Sequence, residues 1–507
     1  MKVITSQQMH HLEAQAYRDG SSEFDFMEEA GSGIALVAHD YIESHYMDHT
    51  ILLMCGKGNN AGDAYVAGIH LLHLEYDVIA YQFVPIDDCT SLCQSNYKRF
   101  IDEGGRVLSI DSPEEFVLPA KGLILDGLLG TGFSGKITDP FETIIQKINN
   151  SGLPIIAIDI PSGLNGSDGK AQEDNKSIIA TETAFLGLPK IGFFLLDGWN
   201  SVGKLRYVDF GLPKQYINES ETEMIMLTKD DVSSFLPKIV RNRHKYEAGY
   251  VIGLAGSPGM PGAALLASDA ALHGGAGIVR LLHPQGMEAE LASSQHELIK
   301  VPFAHSDAQK VIDLMNEASA VFIGPGIGRT PETFALIKKV LPALQIPCVI
   351  DADALFFLAS NEGRNIKLPE QTILTPHHGE MNRLLGIEGP APALTMDYLK
   401  RCKDFTANRR VTLLLKGGPS FIIHHDEPFY VSPHGDPGMA TAGSGDILTG
   451  LVAALLAQKL TPLKAAILGC FIHGVSGEYA ALELTSYCMT ASDIMYRFPE
   501  GFLLDET

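Results

Sequence analysis

The sequence predicts an α/β protein with two parallel-sheet domains, and three observations lead there. Short aliphatic runs ending in Gly, Asp or Pro alternate with helical stretches, the rhythm of a parallel sheet covered on both faces. Glycine supplies 50 of the 507 residues, which suits many tight strand-to-helix loops. The rhythm breaks once, near the middle, in a polar stretch. At roughly 150 residues per domain, the length allows two to four domains. Apolar residues make up 45% of the chain, enough for sizeable cores, and there is no low-complexity tract.

The first strands are read at "HTILLMCG", "YDVIAYQFV", "KGLILDGLLG", "LPIIAIDIPSG" and "KLRYVDFG". The polar stretch follows, with a linker placed around Pro213 to Glu223. The rhythm restarts at "GYVIGLAGSPGMPGAALLASDAALHGGAGIVRLL" and continues through "AVFIGPGIG", "PCVIDADAL", "TILTPHHGE", "VTLLLKGGPSFII" and "PFYVSP". A long helical region then runs from "GSGDILTGLVAALLAQ" towards the C-terminus. No repeat relates the halves. Residues 1–215 and 228–500 are therefore expected to form two different three-layer α/β/α domains.

A net charge of −23 makes nucleic acid and anionic membrane surfaces poor partners and small molecules the expected ones. The seven cysteines, at 55, 89, 93, 348, 402, 470 and 488, are scattered and form no CxxC pair, as in a reduced cytoplasmic protein. The opening "MKVITSQQMHHLEAQ" has no apolar signal core, and no uninterrupted apolar run is long enough to span a bilayer. A homo-oligomer is expected.

The stretch "MCGKGNNAGDAYVAG" passes from strand to glycine-rich loop to helix. Gly56-x-Gly58-x-x-Ala61 fits a loose dinucleotide fingerprint, but two features oppose it. Asp63 falls in the first helical turn, where its charge would repel a pyrophosphate. The second strand, "VIAYQFV", ends without the acid that would hold a ribose. A P-loop is excluded because no Gly-Lys-Ser/Thr follows a five-residue loop. What remains is Asn59, Asn60 and Asp63 around glycines: oxygen ligands and base-like chemistry, or turn and cap residues. The next strand ends, with Asp126, Gly130, Thr131 and Gly132, then Asp159, Ser162 and Gly163, land on the same sheet edge. Asn60, Asp126 and Ser162 together suit a hard cation. Asp159 is a neighbouring carboxylate, and the Gly130–Gly135 loop offers amides to a phosphate.

In this order, "FMEEAG", "GKGNNAGDAYVAG", "DGLLGTGFSG" and "IDIPSGLNG" resemble the NAD(P)H-hydrate epimerase domain. The resemblance implies a Rossmann-like sheet. It implies contacts to a hydrated dinucleotide from Asn59, Asn60, Ala61, Gly62 and Asp63, and from Gly130, Thr131, Gly132, Phe133, Ser134, Gly135 and Lys136. It implies potassium on Asn60, Asp126 and Ser162, and Asp159 as the acid/base. The chain carries Ala61 and Ala64 where the family usually has Gly.

The second half is dominated by "GMATAGSGDILTGLVAALL". Gly443-Ser444-Gly445 would set unpaired amides at a helix start, where phosphate and transferring charge are stabilised. Asp446 in the first turn is either a cap or a general base for a hydroxyl attacking phosphorus, and the glycines favour the base. Lys416-Gly417-Gly418-Pro419-Ser420 follows a strand and could hold nucleotide phosphates or ribose. Asp351 and Asp353 also end a strand and fit metal contact and capping equally. "LTPHHGE", with His377 and Glu380, resembles the metal-and-phosphate motif of ribokinase-like kinases, His standing in the usual Asn position.

With "GSPGMPGAALLASDAALHGGAG" included, residues 228–500 resemble the ADP/ATP-dependent NAD(P)H-hydrate dehydratases, whose fold is ribokinase-like. The resemblance implies a hydrate site at Ala263, Gly326, His377 and Asp446. It implies ADP or ATP, with magnesium, on Lys416, Gly417, Gly418, Pro419, Ser420 and Gly445. Ser420 often corresponds to Thr in relatives. One domain would then interconvert R and S hydrates of NADH or NADPH, and the other would dehydrate the S form. Two other readings share the same residues: a ribokinase-like small-molecule kinase that releases a phosphorylated product, and a non-catalytic N-terminal binding domain.

Overall fold

The computed structural model describes residues 1–133, 136–171, 176–390 and 392–504. The chain packs as two compact units, one essentially Lys2–Met224 and the other starting at Ile225. The stretch expected as a linker holds a short helix, Lys214–Glu219.

The N-terminal unit is built on β1 (Thr50–Cys55), β2 (Asp77–Gln82), β3 (Arg106–Ser109), β4 (Leu123–Gly127), β5 (Ile155–Ile158), β6 (Glu182–Leu186) and β7 (Lys204–Val208). They lie in the order β3-β2-β1-β4-β5-β6-β7, every neighbouring pair parallel. β1 shows why the sheet is buried on both faces. Its Ile51, Leu53 and Cys55 face the helices Glu23–His45 and Asn59–His73, while Leu52 and Met54 face Ile144, Ile145 and Ile148 of Phe141–Asn149. The order reverses between β1 and β4, so the crevice that binds ligands in such sheets opens at the ends of these two strands.

Two of these seven strands escaped the sequence pattern. β3 is an exposed edge strand with a polar start and end, and β6 opens on the buried Glu182 and Thr183. Neither gives an apolar run, because one has a wet face and the other pairs its acid with Arg206 (3.4 Å).

The C-terminal unit carries β8 (Tyr250–Leu254), β9 (Ile278–Pro284), β10 (Ile299–Phe303), β11 (Ala320–Ile323), β12 (Cys348–Ile350), β13 (Thr372–Leu374), β14 (Thr412–Leu415), β15 (Ser420–Ile423) and β16 (Phe429–Ser432). Their order is β10-β9-β8-β11-β12-β13-β14-β15-β16. Pairing is parallel from β10 to β14 and antiparallel from β14 to β16. "VTLLLKGGPSFII" is thus two strands, and Lys416–Pro419 is the turn that joins them, at the carboxyl edge of the parallel strands.

The helix Ser444–Ala457 is buried from Ile447 to Ala457. It lies so close to the helix Pro261–His273 that a Cβ on Gly450 would stand 1.9 Å from the Ala267 carbonyl oxygen. Among the described residues one helix, Pro462–Cys488, is long and apolar enough by length and composition to cross a bilayer, although no uninterrupted apolar run in it is. Its apolar window is 72% buried inside the protein, where Ala465–Ile472 join the core. The run escaped notice because Lys464, His473 and Glu478 punctuate it.

Gly56, the first glycine of the loose fingerprint, answers to packing within the protein. A Cβ there would stand 1.9 Å from the Leu128 carbonyl oxygen, so the loops after β1 and β4 touch through backbone alone. Gly56→Ala is expected to destabilise the N-terminal unit by about 1–3 kcal/mol, as overpacking does. Urea unfolding followed by the single tryptophan, Trp199, in this unit measures it; an unchanged midpoint would refute the close-approach argument.

Candidate active sites

In the N-terminal unit the loops after β1, β4 and β5 converge. Asp126, at the end of β4, is fully buried. Its Oδ1 accepts the Ser162 hydroxyl at 2.6 Å and the Leu128 amide at 3.3 Å, and its Oδ2 accepts the Ser162 amide at 2.8 Å. The Leu129 amide donates to Ser162 Oγ at 2.8 Å, and Asn60 Nδ2 donates to the Leu129 carbonyl at 3.2 Å. Asn60, Asp126 and Ser162 are therefore knitted together around Leu129. Burial pushes the Asp126 carboxyl up to about 6, against the opposing pull of these hydrogen bonds.

Asp159 follows β5 with φ +61°, a left-handed conformation uncommon for a non-glycine residue. Its Oδ1 accepts the Leu186 amide at 3.1 Å and the ammonium of Lys190, which is itself fully buried. Asn59 Oδ1 accepts the Thr90 hydroxyl at 3.0 Å, which steadies the glycine-rich loop. Asp63 is buried, and burial first, then the negative charge of Asp159, push its carboxyl well above the usual range.

These groups open on a cavity of about 810 Å³, towards the upper end of the roughly 300–1,000 Å³ typical of ligand pockets. Asn59, Asn60, Asp63, Asp159 and Gly130–Phe133 line it. Ala61 and Gly62 are buried in the helix start and lie outside that lining, as does the exposed Lys136. Ser134 and Gly135 fall outside the described residues. The methyls of Ala61 and Ala64 are fully buried in the core beneath the cavity.

The sequence reading missed part of this site. Lys190, which pairs with Asp159 but lies outside the cavity lining, is absent from that reading because β6, which precedes it, gave no apolar run. His10, Glu13 and Tyr17 also line the cavity. They recur every three or four residues on the helix Ser6–Arg18, and that spacing is the signal that could have found them. The hydrogen bond to Glu13 raises the His10 imidazole above its usual value.

In the C-terminal unit the helix Ser444–Ala457 starts at Gly443, whose φ is +91°. The Ser444 amide donates to the Thr441 carbonyl at 3.3 Å, whereas the Gly445 and Asp446 amides precede any carbonyl of the helix that could accept from them and can face an anion. Lys416 reaches this terminus: a Cβ on Gly445 would stand 3.0 Å from Lys416 Nζ. His377 caps the helix His378–Leu384, its Nδ1 accepting the Gly379 amide at 3.0 Å, while Glu380 Oε2 accepts the His377 amide at 2.9 Å. The bridge between His377 and Lys416 brings the β13 and β14 ends together. Gly326, at φ +62°, packs on the helix Pro261–His273, where a Cβ would stand 3.2 Å from Ala263 Cβ.

Ser420 Oγ donates to the Gly417 carbonyl at 3.0 Å and closes the Lys416–Ser420 turn. Asp353 is a loop anchor, accepting the Gly328 amide at 3.0 Å and Arg329 Nε at 2.7 Å. Asp446 is pushed up to about 7, first by burial and then by the Asp351 charge, with Lys416 pulling the other way. A carboxyl poised there exchanges a proton at neutral pH.

The fold and these two strand-end sites define a two-domain α/β enzyme. One site is a polar cavity at the switch point of a parallel sheet; the other is a helix N-terminus armed with a lysine and a carboxyl. Residues 251–500 match the family described as NAD(P)H-hydrate dehydratase, and residues 23–192 match the YjeF-related protein N-terminus. The bifunctional NAD(P)H-hydrate repair enzyme Nnr of Moorella thermoacetica is 33% identical, over 98% of this chain and 96% of its own length. Its namesake from Coxiella burnetii is 32% identical over 97% of each. The ADP/ATP-dependent NAD(P)H-hydrate dehydratase from Bacillus subtilis, co-crystallised with ATP/Mg2+, aligns at 27% identity with a TM-score of 0.49, over 54% of this chain and 96% of that one. The chain belongs to the family of bifunctional NAD(P)H-hydrate repair enzymes.

The Asp446 environment gives a direct expectation. In protein labelled with ¹³C at aspartate, the Asp446 carboxyl should titrate with a midpoint near 7. Lys416→Ala should move that midpoint upward, since the ammonium favours the charged carboxylate. A midpoint in the ordinary carboxylate range would contradict the burial argument.

Proposed function

We propose that the N-terminal unit interconverts the R and S hydrates of NADH and NADPH, and that the C-terminal unit restores NAD(P)H from the S hydrate using ADP or ATP. The observation that carries this reading is Asp446. It is a carboxyl that burial pushes up to about 7, in the first turn of a helix, beside Lys416, on a chain that also holds the cavity lined by Asp159.

Dehydration needs a better leaving group than hydroxide. Asp446 removes the proton from the hydrate hydroxyl, whose oxygen attacks the terminal phosphorus of the nucleotide and displaces AMP from ADP, or ADP from ATP. Lys416 and the first-turn amides stabilise the charge on the transferring phosphoryl group. The ring nitrogen then expels phosphate, and loss of a proton from the adjacent carbon restores the dihydropyridine. His377, with Ala263 and Gly326 across from it, would hold the hydrated ring. Lys416–Ser420 would hold the nucleotide. Magnesium would arrive with the nucleotide phosphates and neutralise their charge. Glu380, a partly buried carboxyl that burial pushes upward, is a group such an ion would relieve.

In the N-terminal cavity Asp159 takes the proton of the hydroxyl on the hydrated carbon. The carbonyl forms as the bond to the ring nitrogen breaks, and the nitrogen takes that proton. Re-closure on either face of the carbonyl, with the proton returned to oxygen, gives either hand. Lys190 holds Asp159 in place. Gly130, Thr131, Gly132 and Phe133 contact the dinucleotide. Asn60, Asp126 and Ser162 would hold potassium: they are oxygen donors, and a buried carboxyl partnered only by neutral groups gains from a cation. The ion would fix the loops after β1, β4 and β5.

Two experiments test this. Asp446→Asn should slow dehydration by at least about 10²-fold, the lower end for a general base, while R/S exchange continues. Asp159→Asn should leave S-hydrate repair intact and let the R hydrate persist beyond its slow spontaneous exchange. Chromatography of both hydrates and NADH over time reads each variant. If Asp446→Asn abolishes exchange, or Asp159→Asn abolishes S-hydrate repair, the two-site reading fails; a stable phosphorylated product would indicate a small-molecule kinase instead. For the cation, replacing potassium by lithium, and Asp126→Ala, should each lower epimerisation. Indifference to both would remove the cation from these residues.

A further inference from the structure

Asp351 has no part in the chemistry above, yet few side chains in the C-terminal unit are so completely held. It is 1% exposed and stands one residue past β12. Both its oxygens are engaged: Oδ1 accepts Lys416 Nζ at 2.8 Å and Oδ2 accepts Thr449 Oγ1 at 2.7 Å. The three residues come from three elements, namely the end of β12, the end of β14 and the helix that starts at Ser444. The next residue, Ala352, has φ +51° and ψ −124°, so the strand leaves this carboxylate through a backbone conformation that L residues rarely adopt.

Lysine is a point charge on a flexible four-carbon stem, and in an open loop its ammonium would sample many positions. Here one position is selected. Asp351 draws the ammonium against Gly445, since a Cβ on Gly445 would stand 3.0 Å from Lys416 Nζ and 3.9 Å from Asp351 Oδ2. Thr449 fixes the carboxylate from the same helix whose first turn offers its amides. The lysine and the helix terminus thus acquire one shared geometry.

We propose that Asp351 is a positioning residue that pins the Lys416 ammonium beside the Gly445 amide, so that lysine and helix terminus grip one phosphate of a nucleoside di- or triphosphate. The inference rests on the nucleotide reading of Lys416. It has an electrostatic corollary. The charged groups that act on Asp446 are Asp351, Lys416, Asp353 and Glu380. Loss of the Asp351 charge removes a repulsion and frees Lys416 to turn towards Asp446. Both changes favour the Asp446 carboxylate.

The test uses the full chain and a double-mutant cycle. ADP and ATP affinities are measured by calorimetry for the unsubstituted chain, Asp351→Asn, Lys416→Ala and the double variant. Asp351→Asn should weaken nucleotide binding roughly tenfold or more, the scale of a charge-assisted hydrogen bond. In the Lys416→Ala background the same substitution should change the affinity by less than about twofold, because the two residues act as one unit. The acid limb of the dehydration pH profile should move to lower pH in Asp351→Asn, and epimerisation should be unaffected.

An unchanged affinity in Asp351→Asn overturns the inference, as does a loss that persists without Lys416. If Asp351→Asn does not fold, Thr449→Val removes one of the two groups that fix the carboxylate. It should weaken nucleotide binding only while Lys416 is present, and an unchanged affinity overturns the inference there too. An unsubstituted chain that binds neither ADP nor ATP would sink the nucleotide reading itself, whereas binding that ignores Asp351 would sink only the inference.

Discussion

Both sites depend on keeping a carboxylate out of water at the end of a parallel strand. Removing such a charge from solvent costs several kcal/mol unless donors surround it. In this chain the donors come from the loops of neighbouring strands. Asp126 of β4 is met by Ser162 from the β5 loop, Asp159 of the β5 loop by Leu186 and Lys190 at the end of β6, and Asp351 beyond β12 by Lys416 beyond β14. Strand order decides which loops meet, so the sheet topology is a precondition of the chemistry. A slip of one strand would leave each carboxylate unpaired.

The units solve this problem differently, and the difference sets what each can do. Asp126 has only neutral donors, and its carboxyl rises to about 6. That incomplete compensation is what the proposed cation would relieve. Asp351 has a full ammonium, so its charge is matched and its partner is held still. Asp446, in the same electrostatic neighbourhood, has no such match and rises to about 7. The matched carboxylate organises and the unmatched one exchanges protons. The N-terminal cavity does not divide its carboxyls that way: Asp159, proposed to move the proton, is the one that meets the Lys190 ammonium, while burial pushes Asp63 up.

Much of this was legible in the sequence because strand ends are punctuated locally. Gly56, Asp126, Asp159 and Lys416 each follow an apolar run, and each parallel sheet must bring such residues to one edge; Gly443 instead opens a strongly apolar helix. What stayed hidden was hidden for physical reasons. Lys190 reads as a surface residue, and only the tertiary partner Asp159 makes its burial tolerable. β6 lacks an apolar start because Glu182 is compensated by Arg206. His10 and Glu13 belong to a helix that precedes the glycine-rich motif, and periodicity alone does not say that its polar face meets a cavity. The helix Pro462–Cys488 was overlooked as a continuous apolar segment because scattered polar residues disguise its length.

The departure at Ala61 and Ala64 shows how position decides the meaning of a substitution. From sequence, a methyl in place of a family glycine within a ligand loop threatens the ligand. In the structure both methyls are fully buried on the core face of the helix Asn59–His73, and neither lines the cavity. The residues that cannot accept a methyl are elsewhere. Gly56 abuts the Leu128 carbonyl, and a Cβ on Gly62 would stand 2.7 Å from Met27 Sδ. The loop's glycines are therefore of two kinds, those that let backbones touch and those that merely start a helix. Only the first kind constrains the site, because the contact it permits holds the β1 and β4 loops at the separation at which Asn60 reaches Leu129 and Ser162 reaches Asp126.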